Sequence, residues 1–170
     1  HWQLINDYLV GPGADLTGAN LTGASLPFAP LQGATLTNAN LTHANLFHAD
    51  LTNADLRGAI LDNSNLWNAT LTNAVLINAE LTNVSLLDAD LTNTDFTGVT
   101  LSGDVYFTNT QLSGVSSGGM TGTPSMLPAD WKFTNGYLVG PHANLMGANL
   151  AGADLAGADL TAVNLAEVQS

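Results

Sequence analysis

A large apolar residue recurs every five positions through a long stretch of this chain. Starting at Leu16 and continuing to Leu101, leucine or phenylalanine fills 18 consecutive centres without an insertion. The residue two positions before each centre is alanine in 14 of them. Helices repeat about every 3.6 residues and strands every two, so neither element has this period. Apolar pairs at spacings of two and then three predict short extended pieces, each followed by a turn, with both side chains pointing inward.

The position two residues after each centre indicates where the chain turns. It holds six glycines and eight asparagines, and the other four residues are Phe28, His43, His48 and Asp88. Gly, Asn, Asp and His best tolerate the positive φ that the third residue of a type II turn requires. Four such turns would close a coil of 20 residues, and coils would stack about 4.8 Å apart. Residues 14–103 are therefore predicted to form four and a half coils, without helix.

The repeats have the form A-[DN]-L-x-x, as in ADLTG at 14–18, ANLTG at 19–23, ANLTH at 39–43 and ADLTN at 49–53. In this the sequence resembles the pentapeptide-repeat family. The resemblance implies an all-β fold, a right-handed quadrilateral β-helix with about 20 residues per coil. It covers roughly residues 14–114 and 143–167, where ANLMG at 143–147 has the same form.

A second repeat, of a longer phrase, divides the chain. The pattern W-x-x-x-N-x-Y-L-V-G-P-x-A-[DN]-L begins at Trp2 and again at Trp131. Bacterial pentapeptide-repeat proteins carry similar segments ahead of their repeat blocks, and aromatic and Tyr-Leu-Val side chains would cover an open solenoid end. Gly and Pro would turn the chain into the first corner.

The period slips by one residue after Leu101, and an insertion at Asp104 restores it. The stretch 115–130 is rich in Gly, Ser, Thr and Pro and is typical of a loop. We therefore expect four segments: an entry or cap segment over 1–13, the main solenoid over 14–119, a loop plus second entry segment over 120–142, and a second short block over 143–170. The second block has too few repeats for a core of its own, so stacking on the first solenoid is favoured over a separate one.

The charge of the chain limits its partners. Asp and Glu number 14 against two basic residues, Arg57 and Lys132, for a net charge of −12. Direct binding to nucleic acid or to an anionic membrane is not expected, whereas a basic partner would be attracted. No apolar run approaches the roughly 18–20 residues of a membrane span. The compartment stays open, with a secreted, periplasmic or lumenal location favoured over the cytoplasm.

No enzyme or cofactor motif is recognisable. His43 and His48 suggest a metal site at first, but both occupy the turn position and no third ligand follows at matching spacing. No Ser or Thr stands beside a His and an acid in a catalytic pattern. We therefore expect a non-enzymatic structural or protein-interaction module without metal or cofactor, whose protein partner the sequence does not name. Self-association, end to end or face to face, is a further expectation.

Three outward-facing columns are candidate surfaces. The first is an apolar stripe at a spacing of 20 residues, formed by Pro27, Phe47, Trp67 and Leu87. Because exposed apolar patches usually mark contacts, we expect another protein, or the segment 115–130 with Met120, Met126 and Leu127, to cover this apolar stripe.

The second and third columns are polar. Asp50, Asp55, Asp90 and Asp95 would form an acidic corner. Some pentapeptide-repeat proteins imitate duplex DNA and occupy the DNA site of gyrase, so this corner suggests, as an alternative function, a DNA-mimic regulator of a topoisomerase. Gln32, Thr52, Thr72 and Thr92 form a ladder that suggests, third, an ice- or glycan-binding surface, although Thr also suits any exposed extended position.

Overall fold

The computed structural model describes residues 2–169, and a stack of 20-residue coils makes up most of it. Parallel bridges join Asp15 to Thr35 and Asn20 to Asn40, and the same offset of 20 holds for every bridge as far as Thr100. Each coil thus has four bridged positions, one in each five-residue repeat. His1 and Ser170, the outer ends of the first and last expected segments, lie outside the described residues.

Regular strands are short because most sides of a coil contribute a single bridging residue. The described part of the chain contains three strand pairs. Gln3–Ile5 (β1) pairs antiparallel with Tyr8–Val10 (β2), Glu80–Thr82 (β3) pairs parallel with Thr100–Ser102 (β4), and Lys132–Thr134 (β5) pairs antiparallel with Tyr137–Val139 (β6). Residues 2–169 contain no helix, and hence none long and apolar enough to cross a membrane.

The predicted turns are confirmed. All 18 residues at the turn position, from Gly18 to Gly103, have positive φ. In the first of these turns the amide of Ala19 donates to the carbonyl of Leu16 at 3.0 Å, closing a four-residue turn. Each turn therefore redirects the chain into the next side of its coil.

The predicted core is also confirmed. The centres from Leu16 to Phe96 are at most 1% exposed, and the alanines that precede them are buried beside them. Burying each leucine contributes about 1.5–3 kcal/mol. Two polar residues replace alanine inside: the Thr94 hydroxyl donates to the carbonyl of Leu71 at 2.9 Å, whereas the Ser64 hydroxyl has no partner in the described structure.

The coil beyond Leu101 differs from the expected loop. Bridges such as Ser85 to Tyr106 span 21 residues, which agrees with an insertion at Asp104. Bridges then continue through Ser116, Thr121 and Met126, so the stretch expected to be a loop adds a further coil to the stack.

Compensating residues hold this coil in place. Ser117 and Gly122 stand where leucine centres would be, and Met120 fills the inside from the position that normally holds alanine, with only 5% of its surface exposed. Gly122 has φ +78, and a Cβ there would lie 1.8 Å from the carbonyl oxygen of Leu101. Only glycine permits this close approach of the two backbones.

The second block follows on from this coil. Ser116 bridges Asn144 in parallel, and the Asn144 amide donates to the carbonyl of Val115 at 2.9 Å. The hairpin of β5 and β6 lies in the chain between these partners, and Leu138 of β6 is buried in the main core. Asn144 in turn bridges Asn164.

Candidate interaction surface

Stacked coils align the members of the apolar stripe. The column Ser25, Asn45, Asn65 and Ser85 is joined by parallel bridges, and each stripe residue follows one of these by two positions. Asn45 and Asn65 also accept hydrogen bonds from the amides of Phe47 and Trp67 through their side-chain oxygens, at 3.2 and 3.1 Å. The backbone beneath the two aromatic rings is therefore held by side-chain caps on adjacent coils.

Four rings pack together on this flank, and we call Phe28, Phe47, His48 and Trp67 the aromatic cluster. Phe47 meets Trp67 and Phe28 edge to face, with ring centroids 5.6 Å apart in both pairs. His48 stacks on Phe28 at 5.2 Å and meets Phe47 edge-on at 4.3 Å. Phe28 is 67% exposed and Trp67 is 45% exposed, while Phe47 is half-buried. The cluster is thus ordered by its own contacts and open to solvent.

Phe28 is the member that the sequence pattern concealed. It occupies a turn position, with φ +58, where the other 17 repeats of the run have Gly, Asn, Asp or His. A bulky side chain in this left-handed conformation costs about 1–2 kcal/mol. Its neighbour His48 has the same backbone role. A phenylalanine in a column of small polar residues was the signal, and strain kept at an exposed site points to function.

An acidic group fixes the edge of the cluster. The indole Nε1 of Trp67 donates to Oδ2 of Asp88 at 2.9 Å, and Asn109 donates to the other oxygen, Oδ1, at 3.1 Å. This hydrogen bond orients the indole ring while one of its faces stays accessible.

The segment 115–130 packs elsewhere. Met120 is buried in the core, and Leu127 packs against the same core. Both side chains therefore support the end of the first block, and neither takes part in the ring contacts of the aromatic cluster.

The acidic corner consists of carboxylates that bond to their own coil. Asp50 and Asp90 lie in one bridged column with Thr70 between them, and Asp55 and Asp95 lie in another with Val75 between them. Three of these acids cap the backbone and a hydroxyl or amine group nearby, and the carboxylate of Asp55 forms an ion pair of 2.6 Å with Arg57. Negative charge is therefore interrupted along both columns.

Partial burial raises the pKa of Asp50 and Asp90, but hydrogen bonds to the charged form outweigh it. Asp50 accepts from the hydroxyl and amide of Thr52 and from the Gln32 side chain, and the net effect lowers its pKa below the usual range. Asp90 accepts in the same way from Thr92 and Thr72, with the same net lowering of its pKa. These bonds also occupy part of the threonine ladder, because Thr52 and Thr72 donate their hydroxyl hydrogens to the carboxylates.

The histidines serve as turn residues. His43 and His48 have φ of 60 and 54°. In the part of the chain that is described, no three His, Cys, Asp or Glu side chains are grouped as metal ligands would be, and residues 2–169 form no pocket.

Comparison with known proteins identifies the repeat. The sequence model of pentapeptide repeats matches eight copies, over residues 12–38, 28–63, 39–76, 64–103 and 142–169. These ranges together cover more than half of the chain. No curated protein matches the sequence significantly.

Solved structures with similarity to this chain are also pentapeptide-repeat proteins. One from the Arabidopsis thaliana thylakoid lumen is 28% identical over 66% of this chain and 70% of its own, with a TM-score of 0.36. HetL, involved in heterocyst differentiation regulation in the cyanobacterium Nostoc sp. strain PCC 7120, is 24% identical over 92% of this chain and 87% of its own, with a TM-score of 0.33. QnrB1, a plasmid-mediated fluoroquinolone resistance protein, is 16% identical over 85% of this chain and 90% of its own, with a TM-score of 0.33.

Proposed function

The chain belongs to the pentapeptide-repeat family, and we propose that it acts as a non-enzymatic module that binds another protein through the aromatic cluster. The observation that carries this proposal is the exposed, mutually packed set Phe28, Phe47, His48 and Trp67, with Phe28 retained in a strained conformation. Family membership supports the fold that we infer with it, a right-handed quadrilateral β-helix. We further infer that the second block continues the same solenoid.

The size of the cluster suits the centre of an interface. Phe and Trp each offer about 150–250 Å² of surface, while a standard interface buries about 800 Å² on each partner. Aromatic residues at the centre of an interface commonly supply most of its binding energy. We therefore expect the cluster to act as the anchor, with the neighbouring Asn and Thr side chains as a polar rim.

The partner should be basic as well as apolar. The net charge of −12 attracts a positively charged surface. An Arg or Lys side chain can lie over the open face of Trp67 within about 6 Å of its centroid, and Asp88 is hydrogen-bonded to the same indole. A segment that combines Arg with apolar residues has the required chemistry.

The two other functions have less support. A DNA mimic requires closely spaced carboxylates, whereas Asp50 and Asp90 are separated by Thr70 and the charge of Asp55 is paired with Arg57. In the threonine ladder, Thr52 and Thr72 direct their hydroxyl hydrogens to carboxylates and not to a ligand. We expect no inhibition of gyrase supercoiling, and inhibition that disappears when the four acids become Asn would favour the DNA mimic instead.

Peptide selection tests the proposed function. Phage-displayed random peptides are selected on the intact chain, and we expect enriched ligands that contain Arg beside apolar residues. The double variant Phe47→Ala/Trp67→Ala should lose at least tenfold in affinity for them. Met146→Ala is the matched control, since Met146 is also apolar and is 62% exposed but lies outside the cluster. Ligands that bind the double variant as well as the unmodified chain would show that the cluster is not the site.

A further inference from the structure

The two copies of the long sequence phrase form the same structure. Each is a two-stranded hairpin with positive φ at both turn residues, Asn6 and Asp7 in the first and Asn135 and Gly136 in the second. This is the type I′ turn that two-residue hairpins favour. Every residue of the second hairpin therefore has a counterpart 129 positions earlier.

The hairpins also dock in the same way on the block that follows them. The Tyr8 hydroxyl accepts from the amide of Asn20 at 3.3 Å, and the Tyr137 hydroxyl accepts from the amide of Asn149 at 3.1 Å, in both cases 12 residues further on. One face of each hairpin is thus committed to its own repeat block.

The opposite face of the second hairpin is buried. Phe133 and Leu138 face each other across the strands, Leu138 is fully buried in the core of the preceding block, and Phe133 packs against that core. The outward amide of Leu138 donates to the Ser117 hydroxyl at 2.9 Å, and the Gly136 carbonyl accepts from the amide of Met120 at 3.3 Å. This face is therefore built to bind the terminal coil of a repeat block.

The same face of the first hairpin is open. Leu4 and Leu9, the counterparts of Phe133 and Leu138, are 68% and 64% exposed. Trp2, the counterpart of the partly buried Trp131, is 56% exposed. The Leu4–Leu9 pair is the non-hydrogen-bonded one of its hairpin, so the Leu9 amide points outward as the Leu138 amide does.

We propose that this open face, formed by Trp2, Leu4 and Leu9, binds the terminal coil of a second copy of the chain. The internal contact of the second hairpin is the template for the new contact. The complementary surface is at the other end of the molecule, where Leu160 and Leu165 of the second block are 39% and 47% exposed. The two copies associate head to tail.

Such a contact joins two different surfaces, so it propagates into an open chain or closes into a ring. The face is much smaller than a standard interface of about 800 Å² per partner. We therefore expect association at about 10 μM to 1 mM. This inference concerns the ends of the stack and is independent of the aromatic cluster on its flank.

Sedimentation velocity of the intact chain between about 10 μM and 1 mM tests the proposal. The weight-average mass should rise with concentration, and Leu9→Asp in the head or Leu165→Asp in the tail should each hold it at the mass of one chain. Leu4→Asp is a second head variant, and circular dichroism checks that all three fold. Phe47→Ala/Trp67→Ala is the control that should associate normally.

Mixing the variants gives the sharpest result. Leu9→Asp keeps an intact tail and Leu165→Asp keeps an intact head, so a mixture of the two should form dimers and nothing larger. A mixture that remains monomeric overturns the proposal, as does an unmodified chain that stays monomeric at about 1 mM. Association that persists in both head variants, or that depends on Leu9 but not on Leu165, also overturns it.

Discussion

The indole nitrogen of Trp67 and the carboxylate of Asp88 are joined across adjacent coils by a hydrogen bond of 2.9 Å. A hydrogen bond to a charged acceptor is stronger than a neutral one. It holds the ring of Trp67 against Phe47 even though the indole is 45% exposed. The aromatic cluster is consequently preorganised before any partner binds, which reduces the entropy lost on binding.

Replacing Asp88 should release this ring. In Asp88→Ala we expect the indole N–H resonance of Trp67 to move upfield and to exchange faster with water, because water replaces the carboxylate as acceptor. The resonance is assigned by its absence in Trp67→Phe. Asp130→Ala is the control, since the Asp130 carboxylate accepts no hydrogen bond in the described structure, and it should leave the signal unchanged. An unchanged signal in Asp88→Ala would show that packing alone orients the ring.

Replacing Phe28 should cost little stability. Phe28→Asn relieves a left-handed strain of about 1–2 kcal/mol, and the lost ring contacts with Phe47 and His48 are worth about 0.5–1.5 kcal/mol each. We expect a net change within about 1 kcal/mol by urea denaturation, whereas Leu26→Ala in the adjacent core should cost about 2–5 kcal/mol. A loss above about 2 kcal/mol in Phe28→Asn would mean that Phe28 serves mainly to stabilise the fold.

The five-residue period was sufficient to predict the core and the turns, because each repeat meets the same surroundings one coil later. Where side chains exchange roles, the period carries no information. Met120 fills the inside from a position that usually holds alanine and so replaces the missing centres at Ser117 and Gly122. The expected loop is therefore a coil.

The surfaces were predicted less completely. The apolar stripe was read from one column, but the ring contacts cross to the neighbouring turn column, where Phe28 and His48 lie. The two hairpins had a recognisable local signal, Asn-Asp and Asn-Gly between apolar residues. Which of their faces is open depends on what precedes each hairpin in space, and a local pattern does not contain that information.

Removing the hydroxyl of Ser64 should stabilise the stack. This hydroxyl is buried without a partner, which costs about 1–3 kcal/mol. Ser64→Ala restores the alanine of the other repeats and should raise the midpoint of urea denaturation by about 1 kcal/mol in free energy. Thr94→Ala is the contrasting control, since its hydroxyl bonds to Leu71 and its methyl group packs in the core. A destabilised Ser64→Ala would indicate that the serine has a partner after all.

Acid should weaken the coils that contain Asp50 and Asp90. The pKa of each carboxyl is lower in the folded chain than in the unfolded one, because hydrogen bonds from Thr52 and Thr92 favour the charged form despite partial burial. This stabilisation is complete above the unfolded pKa of about 3.9 and is lost as the pH falls through the lower folded pKa.

Denaturation at several pH values measures this loss. In Asp50→Asn/Asp90→Asn the decline in stability from about pH 5 to pH 2 should be shallower than in the unmodified chain, because two linked protonations are gone. Asp130→Asn should keep the original slope. Equal slopes in all three proteins would contradict the role of these hydrogen bonds.

A methyl group added to the equivalent glycine of each hairpin segment should have unequal effects. A Cβ on Gly11 would lie 2.6 Å from the ring of Trp2, and a Cβ on Gly140 would lie 2.3 Å from the ring of Trp131. Trp2 is 56% exposed and can move aside, whereas Trp131 packs against the cores of both blocks. Gly140→Ala should therefore cost about 1–3 kcal/mol, as overpacking does, and Gly11→Ala less than about 1 kcal/mol. Because repeat proteins unfold locally, hydrogen exchange measured by mass spectrometry is the suitable readout. Peptides over 137–150 should lose protection in Gly140→Ala, while peptides over 8–21 should change little in Gly11→Ala. Equal losses in both variants would mean that Trp2 is held as firmly as Trp131, which is the result expected only if a second chain already covers the first hairpin.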